Sequence, residues 1–218
     1  MTRRALAALG LACLLAAPAH AADTVADQVF GKGLFAAVKE PGELRYSFEM
    51  RGKEIDPPFA SHVEVDVREV KPDGAKSVWV SMFDGANHRE FGPIAAVDQN
   101  PLVLVFLQRD VTQMANLTGG AAMYFQQQVR RGFNEPATVE PYEVTLGDRK
   151  VPARRVVMKP FANDPNIDRF PQFKNKSYEF VVGEDVPGGV YRLASLVPGP
   201  EAGSAILEET ITFQERTP

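Results

Sequence analysis

Apolar and polar residues alternate along most of this chain, with one long interruption. Leu44, Tyr46, Phe48 and Met50 alternate with Glu43, Arg45, Ser47 and Glu49, the period of a strand with one face buried. Val63, Val65 and Val67 alternate with His62, Glu64, Asp66 and Arg68. Val78, Val80 and Met82 alternate with Ser77, Trp79, Ser81 and Phe83, and the bulk on both faces predicts a central strand. A fourth strand is expected from His88 to Ile94. Asp56-Pro57-Pro58 reads as a loop, and Lys71-Pro72-Asp73-Gly74 and Asp84-Gly85-Ala86-Asn87 as turns. This is the spacing of a hairpin meander. Strands resume at Tyr142 to Leu146, Val151 to Met158, Tyr178 to Val182 and Val190 to Val197, and the last carries Leu207, Ile211 and Phe213 on one face. Pro160 to Gln172 and Pro198 to Gly203 read as loops.

The interruption has helical spacing. Asn100-Pro101 is an N-cap followed by Pro at the first helical position. Leu102 to Leu107 is apolar throughout, and Val111, Met114 and Leu117 continue it until Thr118-Gly119-Gly120. A run apolar on every side predicts a helix surrounded by other elements. A second helix follows, with Ala122, Phe125, Val129 and Phe133 on one face and Gln126, Gln127, Arg130 and Arg131 on the other, ending at Asn134-Glu135-Pro136. A short first helix is expected from Thr24 to about Val38, capped by Asp23 and weakened by Gly31 and Gly33.

About nine strands and two central helices define a mainly β, α+β chain. Nine strands about 4.8 Å apart make a flat sheet wider than two helices can cover. An apolar face left bare must curl, split into packed layers, or hold something else. The expectation is a curled, mostly antiparallel sheet wrapped over a central two-helix hairpin at about 101–133, with a short N-terminal helix, as a single domain over 22–218.

The N-terminus changes the picture of where this domain works. Met1-Thr2-Arg3-Arg4 is a short positive start, Ala5 to Ala17 is apolar, and Ala19-His20-Ala21 offers small residues for cleavage. This is the layout of a signal peptide, removed after Ala21, and predicts a periplasmic protein. Arg3-Arg4 has some likeness to a twin-arginine signal, but the strongly apolar run favours the general export route. Gly10, where a lipoprotein signal carries Leu, argues against lipidation at Cys13. Cys13 is the only cysteine and leaves with the signal, so no disulfide is expected. The chain has 24 Lys and Arg against 28 Asp and Glu; without Arg3 and Arg4 the balance is 22 against 28, a net charge of −6. A mildly acidic chain with no basic run is not a nucleic-acid binder. No later segment is long and apolar enough to cross a membrane.

The order of these elements, from about Thr24 to Phe213, resembles the periplasmic lipoprotein-carrier and lipid-binding half-barrel (LolA-like) proteins. The resemblance implies an apolar ligand in the concavity of the sheet with the helices as a lid. It rests on layout, so it brings no functional residue with it.

Candidate chemistry is sparse. His62, Glu64 and Asp66 share a strand face, but alternate side chains stand about 6.8 Å apart, too far to share one ion at bonds near 2.1 Å. His88-Arg89-Glu90 lacks a nucleophile and an orienting acid, and no Gly-x-Ser-x-Gly elbow exists. Asp164, Asn166 and Asp168 begin like a calcium loop, but Arg169 and Asn175 occupy the places of the Gly and the closing carboxylate. No metal, cofactor or catalytic residue is expected. Asp110, inside an apolar helix, is either paired to Arg130 or Arg131, exposed, or directed at a ligand. The residues expected to line a ligand site are Leu104, Phe106, Asp110, Tyr124, Gln127 and Arg130. The leading expectation is a non-enzymatic binder or carrier of a lipid-like ligand. An envelope adaptor acting through protein contacts is the alternative, and an envelope hydrolase without a recognisable motif comes third.

Overall fold

The computed structural model describes residues 23–218 apart from Lys32 and Glu54. The expected signal peptide, residues 1–21, lies outside the described residues. Among them, nine strands form one sheet: β1 (Gly42–Gly52), β2 (Ile55–Val70), β3 (Lys76–Met82), β4 (Arg89–Ala96), β5 (Thr138–Leu146), β6 (Arg149–Met158), β7 (Ser177–Val182), β8 (Val190–Pro198) and β9 (Ala205–Thr217). The order is β4-β3-β2-β1-β9-β8-β7-β6-β5, with every neighbouring pair antiparallel. Two meanders therefore meet at the β1–β9 seam. The edges are β4 and β5, and the chain passes from one edge to the other through α2 (Pro101–Thr118) and α3 (Ala122–Phe133). The fold is mainly β, a curled open sheet with the helix hairpin on one face.

Register shifts punctuate β1, β2, β3, β7 and β8. An extra residue on one strand bends it and adds twist, so these bulges provide the curl. Apolar positions of successive strands fall into lanes across the inner face. One lane runs Phe48, Ile211, Leu193, Phe180 and Val156, all fully buried. Alternation in sequence thus becomes a continuous wall, on which α2 packs at β3, β4 and β8. The adjoining lane runs Met50, Glu209, Ser195, Tyr178 and Met158, and its centre is polar.

Three sequence expectations need correction. The first helix, α1, spans only Val25–Val29. A Cβ at Gly31 would lie 2.5 Å from the Asp27 carbonyl oxygen, and Gly33 has φ +107, so the chain leaves the helix there instead of continuing to Val38. Its cap is Thr24, reciprocated by Asp27, rather than Asp23. Asp56-Pro57-Pro58 lies inside β2, not in a loop. β1 pairs with β2 at Ile55 and again from Phe59, across a register shift that skips these three residues, and β3 joins β2 only from Val63 onward. The prolines therefore sit in a bulge outside the ladder on either side, where a missing N–H removes no pairing. Lastly, β3 is second from the edge. The outer face of Trp79 is covered by the Arg68 guanidinium, 4.0 Å above the ring, and not by a second layer of structure.

The start of α2 is fixed by Asn100. Its side chain accepts from Leu102 N at 2.9 Å and donates to the Gly188 carbonyl at 2.7 Å, tying the helix to the β7–β8 turn. Asn100→Ala removes the cap and leaves a buried carbonyl unpaired. The expected loss is about 1–2 kcal/mol, read as a lower urea midpoint at unchanged slope.

Candidate functional site

The two helices turn different faces to the sheet and to solvent. On α2, Leu102, Val103 and Phe106 are buried against the strands, whereas Leu104 is 43% exposed and Leu117 64%. The apolar run is therefore not enclosed on every side. Leu104, Gln108 and Thr112, with Leu107 and Val111 beside them, form a stripe along one side of α2. Gln126, Val129, Arg130 and Phe133 form the matching stripe of α3 at helical spacing. Facing them, β4 presents Arg89, Phe91 and Ile94, and Phe30 beyond α1 closes one side against Phe133, with ring centroids 5.2 Å apart.

Together these walls bound an open groove of about 1180 Å³. Small-molecule sites are usually about 300–1,000 Å³. Its α2 wall extends from Leu104 to Leu117, about 20 Å at helical rise. The apolar members are Phe30, Phe91, Ile94, Leu104, Leu107, Val111 and others, and the polar members are amides, a hydroxyl and three arginines. A second cleft of about 700 Å³ lies between the end of α3 and the β5–β6 pair. Of its charged lining residues, Arg155 is paired, with Glu140 at 2.8 Å and with Glu179 outside the cleft at 2.6 Å.

The residues expected at a ligand site separate into three groups. Leu104 and Arg130 line the groove. Tyr124 and Gln127 do not. Tyr124 donates to Asp164, which also accepts from Gln128 at 3.3 Å, and its phenol is pushed up to about 12 by desolvation, reinforced by the Asp164 carboxylate. Gln127 is exposed on α3 away from the groove. Phe106 and Asp110 lie in the core, each 1% exposed.

Asp110 is paired, but not with Arg130 or Arg131. Lys176 Nζ donates to its Oδ1 at 2.9 Å and to Ser195 Oγ at 2.5 Å, Ser195 donates to the same carboxylate at 2.9 Å, and Tyr178 donates to Oδ2. Lys176, Ser195 and Tyr178 are as buried as Asp110. The preceding residue, Arg109, bonds Glu209 in the same polar lane, and its guanidinium lies 5.1 Å from the Phe48 ring and 5.3 Å from that of Phe83. Burial raises the Glu209 carboxyl above its ordinary range, with Arg109 opposing. Consecutive opposite charges on α2 thus dock onto complementary groups of β7, β8, β9 and the segment before β7. A serine beside a lysine could suggest nucleophilic chemistry. Here the Ser195 proton is given to Asp110, and none of the four groups lines either cavity. The cluster is a structural lock.

Other sequence candidates take structural places. His62 lies 3.1 Å from Asp84 and 3.4 Å from Glu64. Among the described residues no group of three His, Cys, Asp or Glu is placed to hold a metal. The Pro160–Gln172 segment is not free: Phe161 and Phe170 pack with Phe125. No helix of the described residues is long and apolar enough to cross a membrane.

Comparison with known proteins gives limited company. No family model and no curated protein matches the chain. Among solved structures, it is similar to the crystal structure of a LolA superfamily protein from Nitrosomonas europaea, with 8% identity over 90% of this chain and 94% of that one and a TM-score of 0.27. The likeness is one of layout, and nothing about a ligand is taken from it.

Proposed function

We propose that this is an exported, periplasmic, non-enzymatic binder or carrier of an apolar, lipid-like ligand, held in the groove between β4, α2 and α3. The observation that carries the reading is that groove: a space of about 1180 Å³ in which Phe91, Leu104 and Leu117 remain exposed. Soluble proteins seldom leave large apolar side chains contiguous unless something covers them. The groove differs in place from the site expected from sequence. The space between the helices and the inner wall of the sheet is filled by Phe48, Phe106, Tyr178 and their neighbours, so the opening lies along the flank of the helix pair. An apolar chain laid there gains roughly 0.8 kcal/mol for each methylene removed from water.

The test uses mature protein recovered from the periplasm, together with the neutral fluorescent probe N-phenyl-1-naphthylamine. A first residue of Ala22, a native mass above that of the bare chain, and probe binding are the expected results. Leu104→Asp is expected to weaken probe binding about tenfold, since it puts a charge against the apolar chain. Its Tm stays close to that of the parent because the site is exposed. A bare native mass, with no probe binding, overturns the reading.

A further inference from the structure

The charges around the groove go further than its apolarity. Three arginines, Arg89, Arg109 and Arg130, line it, and no Asp or Glu does. This asymmetry stands out on a chain whose mature form carries an excess of acidic residues. Arg109 is neutralised by Glu209 behind the wall. The other two have no carboxylate in ion-pair contact among the described residues: Arg89 donates to the neighbouring His88 carbonyl, and Arg130 is an exposed residue of the last turn of α3. Alternation along β4 produces the sorting. Arg89 and Phe91 face the groove, while Glu90 turns away to Arg68 at 3.6 Å. The remaining polar groups on the walls, including Gln108, Gln126, Asn116 and Thr112, are uncharged.

We infer that the ligand is a long-chain amphiphile with an anionic head, its acyl chain along α2 and its head held by Arg89 and Arg130. This rests on the proposed function and adds the class of ligand. One acyl chain spans half of a bilayer's hydrocarbon core, about 15 Å. The α2 wall, about 20 Å long, accommodates that chain and leaves space for a head. Guanidinium groups bind carboxylate and phosphate oxygens through paired N–H donors. Both guanidinium groups are exposed, so the attraction is screened by solvent and salt.

The experiment compares palmitate with hexadecanol, which have the same chain and differ in charge, as competitors of N-phenyl-1-naphthylamine below their aggregation concentrations. Palmitate is expected to compete about tenfold better, the equivalent of one charge-assisted contact, and its advantage shrinks at high salt. In Arg89→Gln/Arg130→Gln the ratio falls to about one, while Arg89→Lys/Arg130→Lys keeps most of it. Equal competition by the two ligands on the unaltered protein overturns this inference and leaves the carrier reading intact. A preference for palmitate that persists in the glutamine variant also overturns it. Failure of both ligands and of the probe to bind removes the carrier reading and this inference together.

Discussion

Asp110→Ala is expected to destabilise the protein by about 3–5 kcal/mol, the usual effect of removing one partner from a buried ion pair. The substitution leaves the Lys176 ammonium fully buried with Ser195 as its one remaining hydrogen-bond partner among the described residues, and it deprives the Tyr178 hydroxyl of its acceptor. For a chain of this size the fall in Tm is on the order of 10 °C. Asp110→Leu/Lys176→Met, which removes both charges, is expected to recover at least half of the loss, because no unpaired charge remains. Urea unfolding of the two variants and the parent makes the comparison. A loss below about 1 kcal/mol for Asp110→Ala would mean that water reaches the carboxylate and that the cluster is not closed.

The cluster has a second consequence, which concerns position. An apolar helix on an apolar wall can slide, because most offsets bury similar area. Arg109 and Asp110 have single complementary stations, Glu209 for one and Lys176, Ser195 and Tyr178 for the other. A shift of α2 by one turn would leave all of them unpaired. The groove is bounded on one side by α2, so the lock that fixes α2 also fixes the groove wall.

Parts of this arrangement are legible in the sequence and parts are not, for physical reasons. The lanes of the sheet follow from period-two alternation in Leu44 to Met50 and Val63 to Val67, and the helix pair from Asn100-Pro101 and Gly119-Gly120. The polar lane left a trace: Glu209 falls on the apolar face between Leu207 and Ile211, and Arg109-Asp110 interrupts an apolar helix. Those irregularities announce buried charge, but not its partner. Lys176 is 66 residues from Asp110 and precedes a strand in a segment that otherwise reads as loop. Arg130 and Arg131, on the next helix, were nearer in sequence and wrong in space. The place of Trp79 is hidden for a related reason. Its cover is local, the Arg68 guanidinium above the ring and the Gly92 backbone against it, and no local pattern distinguishes that from burial under a second layer. The groove itself lies between β4 and the flank of the helix pair. Strand count predicts a surplus of sheet face, but says nothing about which edge carries it.

The sharpest discrimination lies within the run Leu102 to Leu107, where every residue is apolar and sequence alone assigns all six the same role. Phe106 is 1% exposed and meets Tyr178 edge-on at 6.3 Å, whereas Leu104, two residues earlier, is 43% exposed on the groove. Two residues are about 200° apart around a helix, so one helix serves the core and the groove from nearly opposite sides. Phe106→Ala is expected to lose about 3–5 kcal/mol, through lost burial and a cavity that the rigid sheet wall cannot close. Leu104→Ala is expected to change stability by no more than about 0.5 kcal/mol and to weaken binding of the neutral probe severalfold. Urea midpoints and probe titrations on the two variants separate the roles. If Leu104→Ala proved as destabilising as Phe106→Ala, Leu104 would belong to the packed interior, and the groove would lose the residue that anchors its α2 wall.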